Sequence, residues 1–595
     1  MNYSRLLPIA VCLLGCGRAA GTAPPCCPTP SVLARPTLDY TLRYRQEATP
    51  ATLSVQVNAA GLNATNKPIV VRLSNWGEWT SAPYTYLRNL RIDGRDVTHD
   101  AGGVISVPTE LLEDGRLDMS YDLVVQPHGA PEHARRTLLP YRTDTYAFAF
   151  TSNTLVRFTV DGGPMDADVK VRVEATPDQH IFTGWNGFSV GTQTAVAPAT
   201  LATDNGIFAI GRSFDRTTST IDGTPLEVVQ APPGPDATTA VAEAARAVMI
   251  SATRATGRGP RGPVRIFIET ARGIGTHTDF GLVISRHPGP LLPLPDYMTE
   301  HLAHELLHEW LGSRLVGDGS VRWFQEGFTE YLANWHGTAT GLFTRDRFAD
   351  RILSFEREAR TSSSLGRVAF AQPGINWRDG DGPNEIMAYK GGALLAFVID
   401  VELRRRGQSV SAIIRELLAS GSRDYGLADI RSAMARLGLS DIYERSIAGT
   451  DVPAAHPLLV DMGFVDTIQQ ASLTYLGIEA RYAGPADSAD VVPAIVTAVD
   501  SAGPAARAGV RPGDRITAFG DRRGDPPQLG PGAPRRFQFG LNVIPSGARS
   551  VILKIQREGT PMQVEVAPVR IGGGQRTSMR WNPERRTDFF DPARR

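Results

Sequence analysis

A histidine pair near the middle of the chain has the residue types and the spacing of a metal site. The pentapeptide is His304-Glu305-Leu306-Leu307-His308, and residues four apart lie on one face of an α-helix. Two imidazoles on one face can bind the same metal ion, whereas Glu305 between them lies about a quarter turn away. Glu305 is therefore predicted to be a general base, which takes a proton from water bound to the metal without becoming a ligand.

A catalytic zinc ion needs a third protein ligand and an open coordination position. Glu326 is predicted to be that ligand, because it follows His308 at a distance that lets the chain turn and return on a second helix. Glu330, one helical turn later, is predicted to accept a hydrogen bond from a ligating histidine. The alternative for both glutamates is a solvated helix face, but the aromatic residues around them favour burial. We expect His304, His308 and Glu326 to bind one zinc ion per chain, with His301 left as a packing or surface residue.

The length and the charge of the chain limit its class. A chain of 595 residues is too long for a single hydrophobic core, which stops growing at about 250–300 residues. Lysine plus arginine and aspartate plus glutamate both number 62, so the chain lacks the basic excess that binds phosphate backbones. Several domains are therefore expected, and nucleic acid is not an expected partner.

The pattern of apolar residues changes along the chain and predicts its domains. Short alternating segments over residues 38–235 indicate an amino-terminal β-rich region of one or two sheets. Residues 236–467 begin with a mixed α/β pattern and continue with helical periods, which indicates a mostly helical catalytic domain. Short strands return over residues 468–571, and the Arg-rich residues 572–595 are predicted to form a flexible tail. The clearest helical candidates are 297–312, 321–336, 346–360, 384–405 and 409–419.

The first residues have the pattern of an export signal. Residues 1–15 contain an apolar run too short to span a bilayer, as in a cleaved signal peptide. The run Leu13-Leu14-Gly15-Cys16 resembles a bacterial lipobox, which implies cleavage before Cys16 and lipid attachment to its thiol; the alternative is an ordinary export signal. Residues 16–37 have the composition of a disordered tether. The expected location is the bacterial cell envelope, with the membrane contacted through a lipid anchor alone.

The metal motif and its surroundings resemble a known family. The HExxH pattern is followed by the run Trp323-Phe324-Gln325-Glu326-Gly327-Phe328-Thr329-Glu330-Tyr331. Together they resemble the gluzincin metallopeptidases, and within these the PDZ-containing glycyl aminopeptidases. The resemblance covers nearly all of the chain after the tether. It implies a multidomain α/β protein with an amino-terminal β domain, a thermolysin-like, mostly helical catalytic domain and a carboxy-terminal PDZ domain.

The resemblance also implies a role for Tyr389. The run Tyr389-Lys390-Gly391-Gly392-Ala393-Leu394 is similar to a helix of the family. In the wider aminopeptidase group the matching tyrosine donates a hydrogen bond to the tetrahedral intermediate, and a phenol over a developing oxyanion is an electrostatic stabiliser. The alternative is an aromatic residue that packs between helices.

The segment before the zinc helix departs from the family. The family has a Gly-Gly-Leu-Glu-His segment whose glutamate binds the free ammonium of an aminopeptidase substrate. The best match here is Gly273-Ile274-Gly275-Thr276-His277, so Gly275, Thr276 and His277 are weak candidates for substrate binding. Thr276 stands where the glutamate should be, and a hydroxyl cannot pair with an ammonium as a carboxylate does. Glu269 or Asp279 could substitute, and the choice between aminopeptidase and endopeptidase stays open.

The carboxy-terminal strands resemble a PDZ domain of bacterial proteases. The resemblance rests on Leu476-Gly477-Ile478, on the strand 494–499 and on the run 501–516. Such domains bind an extended peptide along an open sheet edge. The backbone amides of Leu476, Gly477 and Ile478 are predicted to receive the terminal carboxylate of a peptide ligand. The alternative is a structural sheet without a ligand.

These patterns predict a zinc-dependent peptidase that hydrolyses peptides or proteins in the cell envelope. Glu305 would activate water at the metal, and Tyr389 would stabilise the oxyanion. The alternative is a non-catalytic, PDZ-containing peptide-binding or scaffold protein in which the zinc site is structural.

Overall fold

The computed structural model describes most of the chain after the tether. The described residues are 35–62, 69–73, 83–107, 112, 114–127, 139–184, 194–198, 206–234, 237–269, 276–278, 281–285, 294–377, 382–452, 454–482, 494–520, 550–584 and 588–590. The predicted export signal and Cys16 lie outside these residues, and they stay predictions. Among the helices described, none has the length and apolar character needed to cross a membrane.

The amino-terminal region consists of β-strands that alternate buried and exposed side chains. In Thr37–Arg45, for example, Leu38, Tyr40 and Leu42 are buried, because successive side chains of a strand point to opposite faces of the sheet. The strands are β1 (Thr37–Arg45), β2 (Thr52–Ala60), β3 (Ile69–Leu73), β4 (Leu87–Ile92), β5 (Arg95–Asp96), β6 (Val104–Ser106), β7 (Arg116–Val124), β8 (Gln126–Pro127), β9 (Tyr141–Arg142), β10 (Tyr146–Phe150), β11 (Val156–Val160), β12 (Gly163–Pro164), β13 (Asp168–Glu174), β14 (His180–Thr183), β15 (Thr194–Pro198) and β16 (Ile207–Gly211).

These strands form three sheets in the described part of the region, where the sequence predicts one or two. The seven-stranded sheet has the order β15-β13-β1-β2-β7-β4-β5, the five-stranded sheet β14-β16-β10-β9-β8, and the four-stranded sheet β12-β11-β3-β6. One apolar core is shared by all three, with Val57, Val71 and Phe208 among its members. Alternation along a strand does not reveal which sheet the strand joins, because pairing is set by distant residues.

The next sheet belongs with the helices that follow it. Its strands are β17 (Asp215–Ile221), β18 (Thr224–Gln230), β19 (Val264–Glu269), β20 (Thr276–Thr278) and β21 (Gly281–Ser285), in the order β17-β18-β19-β21-β20. The helix α1 (Ala237–Thr256) connects β18 to β19, which run parallel. Parallel neighbours need such a crossover. The boundary predicted at residue 235 is therefore wrong, because it separates the hairpin β17–β18 from β19, with which β18 pairs.

The central region is helical, as its periodicity predicts. The helices are α2 (Asp296–Leu307), α3 (Arg322–Ala339), α4 (Arg345–Ala359), α5 (Pro383–Ile386), α6 (Gly392–Arg405), α7 (Ser411–Ala419), α8 (Leu427–Arg436), α9 (Ser440–Ile442) and α10 (Ala455–Asp461), with π-helical turns at Glu309–Arg314, Met387–Gly391 and Tyr443–Ile447. The short strands β22 (Val316–Gly317) and β23 (Asp424–Tyr425) pair with each other. The candidate helix 384–405 is therefore interrupted by a π-helical turn.

Two glycines let helices α3 and α6 come into backbone contact. A Cβ atom at Gly327 would lie 2.5 Å from the Cα atom of Gly392, which is closer than any two carbon atoms can pack. This close approach places the π-helical turn Met387–Gly391 directly beside the first turns of α3. Any larger residue at either position would separate the two segments.

The carboxy-terminal region has a sheet with its own core. Its elements are β24 (Phe464–Tyr475), β25 (Ile478–Tyr482), β26 (Ala494–Val499), α11 (Pro504–Arg507), β27 (Arg515–Gly520), β28 (Val551–Arg557), β29 (Thr560–Val566) and β30 (Val569–Trp581). The sheet order is β25-β26-β27-β28-β29, and Val496, Ile516 and Val551 lie in its core. The strands β24 and β30 pair separately as an antiparallel ribbon.

The described residues near the end of the chain, 572–584 and 588–590, differ from the flexible tail predicted for residues 572–595. Residues up to Trp581 belong to β30, and Phe589 and Phe590 are buried in the core of the helical region. The ring of Phe590 lies 5.1 Å from that of Phe348 on α4. The polar, Arg-rich composition did not predict this packing, because only three aromatic residues, Trp581, Phe589 and Phe590, anchor the segment. In addition, the partner of β30 is β24, which lies far away in the sequence.

Candidate active site

Helix α2 and the residue that caps its end, His308, bring two imidazoles to one point. The Nε2 atoms of His304 and His308 are 3.2 Å apart, as the spacing of four residues predicts. The Nδ1 atom of His308 lies 3.0 Å from the backbone carbonyl oxygen of Leu311. Since a carbonyl oxygen only accepts, Nδ1 carries the proton in this hydrogen bond. The backbone of Leu311 leaves the helical conformation at φ −102°, ψ 63°, and the ring of His308 is oriented by this turn.

Helix α3 brings a carboxylate to the same point. The Oε2 atom of Glu326 is 3.5 Å from Nε2 of His304 and 3.4 Å from Nε2 of His308. A tetrahedral zinc ion with ligand bonds of about 2.0–2.1 Å separates its ligand atoms by about 3.3 Å. The three atoms therefore fit one zinc ion without rearrangement, and the donor set of two imidazoles and one carboxylate is one that zinc accepts. In the part of the chain that the structure describes, this is the one cluster of such residues.

The charges at the cluster favour a cation. Burial raises the pKa of Glu326, but His308, His304 and Arg322 together hold that pKa well below its usual range. Burial lowers the pKa of His308, but Glu326 and Glu305 outweigh this effect and raise it to about 9. Carboxylates that favour a proton on an imidazole also favour a metal ion beside it.

Glu305 lies beside the cluster and is not part of it. Its side chain is 9% exposed, and its Oε1 atom is 3.6 Å from Nε2 of His301. The side chain of His301 is 42% exposed and stands outside the three-residue cluster. A carboxylate next to the ligands and outside the metal cluster has the position that a general base requires.

Tyr389 packs beside the ring of His304. Their ring centres are 6.2 Å apart and the rings are nearly parallel, at 15°. The phenol oxygen accepts a hydrogen bond of 3.2 Å from the guanidinium of Arg322. The π-helical turn Met387–Gly391 carries Tyr389, and the contact between Gly327 and Gly392 sets its distance from α3.

Glu330 is buried next to His304 and is paired with cations. Its Oε1 atom accepts a hydrogen bond of 2.5 Å from Lys390, and Arg351 lies 3.5 Å from its Oε2 atom. Burial raises the pKa of Glu330, but Lys390, His304 and Arg351 lower it to about 2. The predicted hydrogen bond from a ligating histidine to Glu330 is not formed: His308 is paired with the Leu311 carbonyl, and Glu330 is paired with Lys390 and Arg351. Glu330 interacts with His304 through its charge.

Sequence reasoning overlooked Arg322. Its NH1 atom is 3.4 Å from Oε1 of Glu326, and its NH2 atom is 3.2 Å from Oε1 of Glu385. The spacing held a signal, because Arg322 precedes Glu326 by four residues and Glu385 precedes Tyr389 by four. The sequence does not show that α3 packs against the segment that carries Tyr389. This packing brings Arg322 and Glu326 next to Glu385 and Tyr389.

The candidates for substrate binding are only partly described. Thr276 and His277 lie on the edge strand β20, with backbone pairing to Val283 and Leu282 of β21; Gly275 and Asp279 lie outside the described residues. Glu269, at the end of β19, is fully buried. It accepts hydrogen bonds from the phenols of two tyrosines of the amino-terminal region, Tyr141 at 2.7 Å and Tyr146 at 3.4 Å. Glu269 is therefore not placed to bind a substrate ammonium.

The predicted peptide-binding segment of the carboxy-terminal region precedes its edge strand. Leu476, Gly477 and Ile478 are buried, and β25 lies at one edge of the five-stranded sheet. The carbonyl oxygens of Leu476 and Gly477 accept hydrogen bonds from the amides of Ala505 and Asp500. These bonds tie the segment to Ala505 of α11 and to Asp500 before that helix. The Pro- and Gly-rich residues 523–534 lie outside the described residues.

The arrangement of these regions is similar to that of a solved multidomain structure. The chain is similar to the crystal structure of an aminopeptidase N family protein from Idiomarina loihiensis, with a TM-score of 0.63 and 14% identity over 93% of this chain and 99% of that one. The predicted order of a β-rich region, a helical region and a PDZ-containing β region is confirmed.

Further comparisons concern smaller parts of the chain. An M1 zinc metallopeptidase from Deinococcus radiodurans matches with a TM-score of 0.46 and 15% identity, over 70% of this chain and 94% of that one. Yeast LTA4 hydrolase matches with a TM-score of 0.48 and 13% identity, over 72% and 70%. Residues 495–523 match the family model of the PDZ domain, and no curated protein matches the sequence.

Proposed function

We propose that the chain is a zinc-dependent peptidase. The proposal rests on one observation, the triangle of 3.2, 3.4 and 3.5 Å formed by the ligand atoms of His304, His308 and Glu326. Glu305 beside that triangle supports hydrolysis over a purely structural site, because a structural zinc site has four protein ligands and no base. Bound zinc would supply a Lewis acid that polarises the scissile carbonyl and lowers the pKa of water.

The residues of the chain supply the remaining chemistry. Glu305 takes the proton of the attacking water and passes it to the leaving amine, as a single carboxylate can do in both steps. The Tyr389 hydroxyl donates to the oxygen on which negative charge develops, while it accepts a hydrogen bond from Arg322. Lys390 and Arg351 hold Glu330 as an anion beside His304, and this negative charge favours a cation bound by that imidazole.

The test compares metal content and hydrolysis in one variant. Glu305→Gln keeps the shape of the side chain but removes its basicity, so peptide hydrolysis should fall by about 100-fold or more while zinc binding stays at the wild-type level. Peptides from a mixed library, analysed by mass spectrometry, report the cleavage. The proposal fails if wild-type protein with one equivalent of zinc cleaves no peptide, or if Glu305→Gln cleaves as well as wild type.

We also propose export and lipid attachment at Cys16. The support is the short apolar run followed by Leu13-Leu14-Gly15-Cys16. Wild-type protein expressed in a bacterium should incorporate labelled fatty acid and sediment with membranes, and Cys16→Ser should do neither. Release of the wild-type protein in soluble, unlabelled form would contradict this proposal.

A further inference from the structure

Arg322 is a buried cation at the junction of the two segments that form the site. Its side chain is 10% exposed, at the first residue of α3. The guanidinium reaches Glu326 with NH1, at 3.4 Å, and with NH2 it reaches both Glu385 and the Tyr389 hydroxyl, each at 3.2 Å. One rigid group thus contacts a residue of the metal cluster, the phenol beside it and a carboxylate one turn before that phenol.

The two oxygens of Glu326 face different partners. Oε2 faces the imidazoles of His304 and His308, whereas Oε1 faces Arg322. A carboxylate that rotates freely can offer both oxygens to a metal ion, and the second oxygen then competes for the coordination position that a catalytic site keeps open. The guanidinium is a permanently charged, planar fork. By holding Oε1 it leaves a single oxygen of Glu326 for the metal.

The same guanidinium fixes the phenol of Tyr389. The phenol oxygen accepts from NH2 of Arg322, so this hydrogen bond does not use the phenol's own proton. Glu385 holds the guanidinium from the helix turn preceding Tyr389. The same side chain therefore contacts both the phenol and Glu326, within the spacing that the backbone contact of Gly327 and Gly392 allows.

We propose that Arg322 is a positioning residue that holds Glu326 to one metal-binding oxygen and keeps the Tyr389 hydroxyl in register with it. The inference rests on the proposed function where it concerns catalysis, but its metal-binding part requires zinc binding alone. Lysine in place of Arg322 keeps the charge and loses the fork, so it removes simultaneous contact with all three partners while leaving no buried carboxylate without a cation nearby.

The experiment uses the full chain with Arg322→Lys, and Arg265→Lys as the matched control. Arg265 has a side chain 9% exposed and pairs with Glu227 at 3.3 Å, on β19 and β18, so the control alters an equally buried arginine away from the site. Three quantities are measured: the zinc affinity against a competing chelator, the visible absorption spectrum of the cobalt(II)-substituted protein, and kcat and KM for a cleaved peptide. Thermal unfolding verifies that each variant is folded.

We expect Arg322→Lys to bind zinc about 10- to 100-fold more weakly, to change the cobalt spectrum toward higher coordination number, and to lower kcat more than it raises KM. Arg265→Lys should match wild type in all three. If Arg322→Lys does not fold, the same measurements are made on Glu385→Gln. This variant removes the carboxylate that pairs with the guanidinium without changing a residue of the metal cluster, and it should shift the same quantities in the same direction.

The outcomes separate this inference from the proposed function. Wild-type zinc affinity, cobalt spectrum and kcat in folded Arg322→Lys, or in Glu385→Gln if the first variant does not fold, would overturn the role of Arg322. If the wild type binds zinc but cleaves no peptide, the proposed function fails. The zinc affinity and the cobalt spectrum of the variants then still test whether Arg322 holds Glu326 to one metal-binding oxygen. Absence of zinc binding in the wild type would overturn both.

Discussion

Phe590 should contribute strongly to stability although it lies in a segment with the composition of a flexible tail. Its side chain is 5% exposed. Its ring lies 5.1 Å from that of Phe348 and 6.1 Å from that of Trp581, edge to face in both cases, and the guanidinium of Arg345 stands 5.2 Å from its centre. Replacement with alanine would leave a gap between α4 and the ribbon of β24 and β30.

The size of the effect follows from these contacts. An aromatic side chain buries about 150–250 Å², which at about 25 cal/mol per Å² gives an upper limit of roughly 4–6 kcal/mol. Core substitutions of phenylalanine by alanine cost about 3–5 kcal/mol. The segment can partly detach, which relieves the cavity, so we expect Phe590→Ala to cost about 3 kcal/mol.

The assay must follow the helical region by itself, because a multidomain chain need not unfold in one step. Hydrogen exchange monitored by mass spectrometry reports the stability of α4 and of β30 separately. Both should exchange faster in Phe590→Ala, while the amino-terminal sheets are unchanged. Tyr297→Ala, at a side chain that is about half exposed, is the control and should change stability by less than about 0.5 kcal/mol. Unchanged exchange of α4 and β30 in Phe590→Ala would refute the docking of this segment.

Three further predictions concern other parts of the chain. Burial, with a smaller contribution from Arg404, lowers the pKa of His336 to about 3; the unfolded state therefore binds a proton first, and stability should fall from pH 6.5 toward 3 by up to about 1.4 kcal/mol per unit. That slope should lessen in His336→Asn, as urea unfolding across this pH range would reveal. Gly327→Ala should destabilise the helical region by at least about 1–3 kcal/mol and weaken zinc binding, because its Cβ would meet the backbone of Gly392; chelator competition that finds wild-type affinity would contradict this. Amino-terminally acetylated peptides should be cleaved about as fast as free ones, because Thr276 is neutral and Glu269 is buried against tyrosines; strict dependence on a free amine in a kinetic comparison would show that another carboxylate serves.

The metal cluster could be predicted from the sequence because its information is local. Residues four apart on one helix share a face whatever the rest of the fold does, so the pair His304 and His308 needed only helical periodicity. Glu326 needed one further step, a turn and a second helix. The PDZ match at residues 495–523 likewise follows a run of turn and strand residues that is continuous in the chain.

Features that depend on distant contacts could not be predicted in this way. The ion pair of Arg322 and Glu385 depends on the backbone contact between Gly327 and Gly392. The sequence of neither segment indicates that it packs against the other. The pairing of β18 with β19 across helix α1 and the ribbon of β24 and β30 are of the same kind. Local pattern indicates that a strand exists, whereas its neighbour is chosen by packing over the whole domain.

X-ray absorption at the zinc edge of the purified protein tests the central claim most directly. The account predicts one zinc ion per chain, bound by two imidazole nitrogens and one carboxylate oxygen at about 2.0–2.1 Å, with a further light-atom ligand from solvent. Glu326→Ala should lose most of the bound zinc. A protein that holds no stoichiometric zinc, or a spectrum without two imidazoles, would contradict the account.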